Sequence, residues 1–306
     1  MAEDEILDEA TAEGRSQISI VLYSVYDLAV QPADYRLVDF LVRASHYARK
    51  NNFEHLQLVL IPPRGEAYHK TLAEFTIPTE WLIRHILAPA SNLMKVPCRP
   101  SIFSSREEAS DFLTLLADDV YPAGYDITTP SPAQTDDPSN PPLEGDLFYV
   151  DAEAEAFVER WISARSGGRK TATVFLPGTT TGQTEWLALA DLLRKAELFC
   201  ILVPTLEDSL GVHPPDWSHH NLYAEAASNT IIMAALMQTS HLNILPNDDR
   251  MGLCAYNPTA NYLALDDLGE TVLERSPELG NLQDKTLTEA SGALSKELLE
   301  TIGRLV

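Results

Sequence analysis

The feature that most constrains this chain is an alternation. Short apolar runs rich in β-branched residues are each followed by a longer stretch with helical periodicity. "ISIVLYSVY" (18–26) reads as a strand, and "DYRLVDFLVRASHYARKNN" follows with Leu37, Phe40, Leu41 and Ala44 on one helical face. "HLQLVLIPP" (55–63) is a second strand stopped by its prolines, and "TEWLIRHILAPASNLM" is a helix that Pro89 should kink or end. "PSIFSS" then leads into "SREEASDFLTLLADD", where Ser105 and Glu108 stand at capping-box spacing.

The scheme repeats further on. "AEAFVERWISAR" is a helix, "TATVFLP" a strand, "EWLALADLLRKA" a helix and "LFCILVP" a buried strand. "LYAEAASNTIIMAALMQTS" reads as one long apolar helix, "HLNILP", "GLCAYNP" and "NYLAL" as short strands, and "TEASGALSKELLETIGRLV" as a closing amphipathic helix. Strands alternating with helices specify parallel sheets with helices on both faces, joined by right-handed crossovers. The expected fold class is therefore α/β, with two Rossmann-like domains facing each other. "TTPSPAQTDDPSNPPLEGD" (128–146) lacks any apolar period and separates the halves. The expected division is an acidic mobile tail over 1–16, an N-terminal domain over 17–128, a linker over 129–146 and a C-terminal domain over 147–306.

Charge narrows the partners. The chain has 306 residues, with 22 Lys+Arg against 45 Asp+Glu, a formal charge of −23. That field opposes nucleic acid and anionic membrane surfaces, so neither is expected as a partner. No apolar run approaches the ~18 residues a membrane span needs. Cys98, Cys200 and Cys254 are far apart and read as reduced thilos of a cytoplasmic protein, mostly buried. No spacing suggests a metal, and no cofactor is expected. The sequence sets no oligomeric state.

The stretch that raises a chemical question is "VFLPGTTTGQTEWL" (174–187): a strand, a small-residue loop and a helix start. A P-loop is excluded, because Gly178 and Gly182 are one residue too close and Gln183 stands where a lysine is required. The dinucleotide glycine fingerprint is also absent, as is the GxSxG of α/β hydrolases. What remains is a loop of Gly178, Thr179, Thr180, Thr181 and Gly182 that lets backbone approach a ligand at a helix N-terminus. A Thr-rich turn with Thr184 as N-cap is the plainer alternative. Glu207 and Asp208 end the next strand, where carboxylates of nucleotide-binding folds receive ribose hydroxyls. "LPNDDRMG" places Asn247, Asp248, Asp249 and Arg250 after a later strand, with Arg250 able to meet an anion. In the first half, Asp27 follows the first strand and Glu66 the second, positions from which a carboxylate activates an acceptor. Adjacent His219 and His220 point apart and read as loop residues.

The segments "TEWLALADLLRKAELFCILVPTLED" and "NLYAEAASNTIIMAALMQTSHLNILPNDDRMGL" resemble the C-terminal domain of two-Rossmann-domain bacterial glycosyltransferases, loosely those similar to α-1,6-fucosyltransferases. "LYSVYDL", "VDFLVRA", "HLQLVLIPP" and "YPAGYD" resemble uncharacterised bacterial proteins of the same broad class. The resemblance implies two Rossmann-like domains of GT-B-like form with a cleft between them, and transfer of a sugar from a nucleotide-sugar donor. Gly178 to Thr181 then match the pyrophosphate-facing loop, Glu207 and Asp208 the acidic strand end, and Asn247 to Gly252 the later donor-facing loop, while Asp27 or Glu66 serves as base. That class commonly carries Arg or Lys in the first of these loops, and this chain has none there. A catalytically inactive relative, acting in binding or assembly, is therefore the alternative.

Overall fold

The computed structural model describes residues 21–64, 69–72, 75–115, 119–131, 147–178, 183–210, 220–265 and 271–275. Readings made on 1–16, on most of 129–146 and on the closing helix lie outside the described residues. In chain order, the first half holds β1 (Val21–Asp27), α1 (Arg36–Lys50), β2 (His55–Ile61) and a hairpin of β3 (His69–Leu72) with β4 (Phe75–Pro78). It continues with α2 (Thr79–Leu82), α3 (Ala88–Ala90), β5 (Cys98–Ile102), α4 (Arg106–Thr114) and β6 (Val120–Tyr121). The second half holds α5 (Ala152–Ser166), β7 (Thr171–Phe175), α6 (Gln183–Lys195), β8 (Phe199–Val203), α7 (Leu206–Ser209) and β9 (Asn221–Leu222). It ends with α8 (Ala224–Ala227), α9 (Thr230–Thr239), β10 (Leu242–Pro246), α10 (Met251–Ala255), β11 (Tyr262–Leu265) and β12 (Thr271–Arg275).

Besides the β3–β4 hairpin, the described residues form two larger sheets, both α/β in the expected sense. The first runs β5-β2-β1-β6 with every pairing parallel. The second runs β12-β11-β10-β7-β8-β9, parallel throughout except for the antiparallel edge strand β12. Counted from β7, that order is 3-2-1-4-5-6 read from β9, the order of dinucleotide-binding sheets. Every residue of β7 and β8 is buried. Continuous apolar runs such as "TATVF" and "FCILV" suit central parallel strands, which are covered on both faces.

Three readings are corrected or refined by the backbone. "GLCAYNP" is not a strand: Met251–Ala255 is helical, because β10 and β11 are parallel and their connection must cross back over the sheet. The long apolar helix is two helices, broken at Ser228–Asn229. Asn229 caps the second by accepting from the N–H groups of Ile231 (3.0 Å) and Ile232 (3.1 Å). Pro89 does not end its helix. Ile83–Leu87 forms a π-helical turn just ahead of it, and helical backbone runs on through Ala90 to Leu93. The β3–β4 hairpin carries no signal read in the sequence.

The core ties the halves together. One face of the second sheet packs Val174, Leu202 and Ile244 against Trp186, Leu189 and Leu193 of α6. The other face joins a larger cluster in which Phe175, Phe199 and Leu245 are continuous with Tyr26, Phe40, Leu41, Ile83 and Leu87 of the first half. Polar contacts cross the same seam. The Lys95 N–H donates to Leu147 O (2.9 Å), Tyr149 N–H to Leu93 O (2.7 Å) and Thr230 Oγ1 to Ile86 O (2.9 Å). Tyr256 Oη donates to the Asp39 carboxylate, which also pairs with Arg43.

Candidate functional site

In an open parallel sheet, ligands collect at the carboxyl ends of the strands where the strand order reverses. Each sheet here has one such point, and the two are treated differently. In the first sheet it lies between β1 and β6, and Asp27 stands there. Its carboxylate receives a two-pronged bond from Arg106, with Nη1 to Oδ1 at 2.6 Å and Nη2 to Oδ2 at 2.8 Å. Tyr125 Oη adds a third donor at 2.6 Å and the Ala29 N–H a fourth at 2.9 Å. Burial pushes this carboxyl upward, but the bonds from Arg106 and Tyr125 outweigh it and hold Asp27 below the ordinary carboxylate range. Arg106 also donates to Pro62 O (3.0 Å) and Ile127 O (3.2 Å), and Arg64 to Thr128 O (2.9 Å). The carboxyl ends of β1 and β2 and the segment after β6 are thus drawn onto one guanidinium.

The second switch point, between β7 and β10, opens into a cavity of about 220 Å³. Gly178, which follows β7, lines it, as do Thr205, Leu206 and Glu207 after β8 and Asp248, Asp249 and Arg250 after β10. The opposite wall comes from the first half: Ala33, Asp34 and Tyr35 before α1, with Leu82 and Ile86. A larger cavity of about 360 Å³ lies beside the edge strand β6, lined by residues such as Tyr47, Phe53, Leu113 and Tyr125. It flanks a sheet rather than meeting strand ends, so the position rule points to the smaller one.

Local sequence explains how these groups are held. Thr205 caps α7, accepting from the Asp208 N–H (3.1 Å) and donating to Asp208 Oδ2 (2.9 Å), so Asp208 is spent on the cap while Glu207 lines the cavity. Asp248 folds back on its own loop: Arg250 N–H donates to Oδ1 (2.9 Å) and Arg250 Nη2 to Oδ2 (2.5 Å). Arg250 is only 7% exposed, and its Nη2 also donates to Leu176 O (2.8 Å). Its guanidinium is therefore joined to the end of β7 from the inside. Asn247 is exposed, and its N–H bonds Leu265 O (2.9 Å).

Asp249 differs from its neighbours. Its Oδ2 accepts from the Tyr35 N–H at 3.2 Å, across the seam. Burial, then the nearby charges of Asp34 and Asp248, push its carboxyl up to about 6, against the partial relief given by Arg250. A carboxyl displaced that way, in a cavity at a switch point, has the properties of a proton-transfer group near neutral pH.

Of the sequence-selected residues, the cavity brings together Gly178, Glu207 and Arg250. It leaves out Asp208 and Asn247, and Asp27 lies in its own cluster at the other sheet. Thr179, Thr180, Thr181 and Glu66 lie outside the described residues. Asp34 and Tyr35 were not singled out, and Asp249 was noted only as part of a charged loop. The available signal for Asp34 was its place ahead of a helix, where its Oδ1 accepts from the Arg36 N–H (3.0 Å). Among the described residues no group of three or more His, Cys, Asp or Glu forms a cation site, and no helix is long and apolar enough to cross a membrane.

No protein-family model matches the chain, and no curated protein matches it in sequence. Among solved structures, the ADP-heptose LPS heptosyltransferase II of E. coli is similar to 80% of this chain over 84% of its own, with a TM-score of 0.47 and 13% sequence identity.

Proposed function

We propose that the cavity at the second switch point is the ligand site of a glycosyltransferase-like protein, and that it is the cleft between domains spanning 17–128 and 147–306. The observation that carries this reading is positional. Three loops at the carboxyl ends of β7, β8 and β10 meet a wall from the other half around one displaced carboxyl. The charge of the lining selects the part of the ligand that enters. Asp34, Glu207, Asp248 and Asp249 face the cavity together with Arg250, whose guanidinium is already bonded. Such a lining favours the hydroxyl-bearing portion of a nucleotide-sugar over its diphosphate. Glu207 and Asp249 accept from hydroxyls, and Gly178 lets the ligand approach backbone. Asp249 is better suited than Asp27 to take the acceptor's proton, because Asp27 already receives four hydrogen bonds.

The commitment of Arg250 to Asp248 and Leu176 O favours a second reading, a binding or assembly protein without transfer. Stabilising a departing diphosphate calls for a cation aimed at it. Calorimetry with a panel of UDP-, GDP-, dTDP-, CMP- and ADP-sugars tests both. The first reading expects one donor to bind and to release its nucleoside diphosphate in the presence of an acceptor. Binding without release selects the second, and no binding at millimolar concentrations removes the first. An added Cβ at Gly178 meets no atom within 4 Å, so Gly178→Val should fold normally and lose the ligand. Unchanged affinity in that variant would remove Gly178 from the site.

A further inference from the structure

We propose that Tyr35 is a positioning residue of this cavity, seating the first half's wall against the second and holding the Asp249 carboxylate in place. This rests on reading the cavity as a ligand site. The loop from β1 to α1 is pinned at two points. Tyr26 Oη donates to Pro32 O at 2.7 Å, and Tyr35 then crosses the seam. Its N–H reaches Asp249 Oδ2 at 3.2 Å, and its Oη reaches Ala227 O, at the end of α8, also at 3.2 Å. One residue, 7% exposed, thus engages two separate segments of the second half, one through its backbone N–H and one through its hydroxyl. The hydroxyl bond holds the far end of the ring, while the N–H from which Asp249 accepts belongs to the backbone and is kept by any side chain at this position.

The charges around Asp249 make that bond consequential. Asp34 and Arg36 face it from the start of α1, Glu207 shares the cavity from beyond β8, and Asp248 and Arg250 flank it on its own loop. Arg250 is bonded to Asp248 rather than to Asp249. The orientation of Asp249 is therefore set by a backbone donor on the opposite wall, on a residue whose ring is itself buried at the seam.

The test is a carbon-detected titration of the aspartate carboxyls in the full chain, with Asp249 assigned by its loss in Asp249→Asn. Tyr35→Ala should lower the Asp249 midpoint toward the ordinary range by about one pH unit or more, because water enters where the ring stood and this loss of burial outweighs any weakening of the N–H bond, which acts in the opposite direction. Tyr35→Phe retains ring and N–H and should move it by less than about half a unit. If Tyr35→Ala does not fold, Tyr35→Leu, which fills part of the space with apolar atoms, takes its place with a smaller shift in the same direction. A folded Tyr35→Ala or Tyr35→Leu protein with an unchanged midpoint overturns the proposal. The measurement needs no ligand, so its failure is distinct from a failure of every nucleotide-sugar to bind.

Discussion

At the scale of single residues, two aspartates at the switch points of the two sheets are set to opposite purposes by their neighbours. Asp27 meets Arg106 in two-pronged geometry, and removing that partner strands a buried carboxylate. Arg106→Met should cost about 3–5 kcal/mol in chemical denaturation. Because the folded-state pKa of Asp27 is depressed, the wild-type contribution is present at neutral pH and is lost as pH falls below about 4. Asp249 has the reverse sign. Its folded-state value is raised to about 6, so ionising it weakens the fold as pH rises from about 4 to about 6. Asp249→Asn keeps an acceptor for the Tyr35 N–H and removes that penalty. It should match the wild type in stability below about pH 4 and exceed it by on the order of 1–2 kcal/mol above pH 6, while losing ligand binding. A variant that is both more stable and less able to bind is the signature of a group retained for function, and equal stabilities at pH 7 would remove that reading.

At the scale of elements, what the sequence disclosed follows the range of the forces involved. The strands β1, β2, β7, β8, β10 and β11 were legible because burial on both faces demands continuous apolar runs. α4 was legible because its start is local chemistry: Ser105 Oγ accepts from the Glu108 N–H at 3.1 Å. The return bond is shifted by one residue, since Glu108 accepts from Ser104 rather than Ser105. The break between α8 and α9 was hidden because apolar periodicity runs straight through it, although Asn229 was the available cue. Asn229→Ala should cost about 1 kcal/mol in thermal or urea unfolding and Asn229→Asp much less. If the alanine variant is neutral, the cap does not set the boundary. Of the site, Gly178, Glu207 and Arg250 were legible from their places at strand ends. Asp249's behaviour was not, because it arises first from burial and then from the charges of Asp34 and Asp248, with the N–H of Tyr35, 214 residues away in sequence, acting against them. The pairing of Arg106 with Asp27 was equally a product of tertiary closeness, 79 residues apart.

At the scale of the whole molecule, the halves share too much to behave as separate folding units. A single buried cluster runs from Tyr26 and Phe40 through Ile83 and Leu87 to Phe175, Met233 and Leu245. Cross-seam bonds from Lys95, Tyr149, Thr230 and Tyr35 fasten its margins. Unfolding one half alone would expose one side of that cluster, at roughly 25 cal/mol per Å² of apolar surface. The expectation is one cooperative transition. Trp81 lies in the first half and Trp186 in the second, and the chain's other tryptophans, Trp161 and Trp217, can be replaced by phenylalanine in turn with one reporter kept. Urea titrations followed by Trp81 and by Trp186 fluorescence should give midpoints that coincide. Two separated midpoints would show that the seam is weaker than its packing indicates. The cavity would then be built by docking of independent halves, and ligand would be expected to draw the two midpoints together by binding only the docked state.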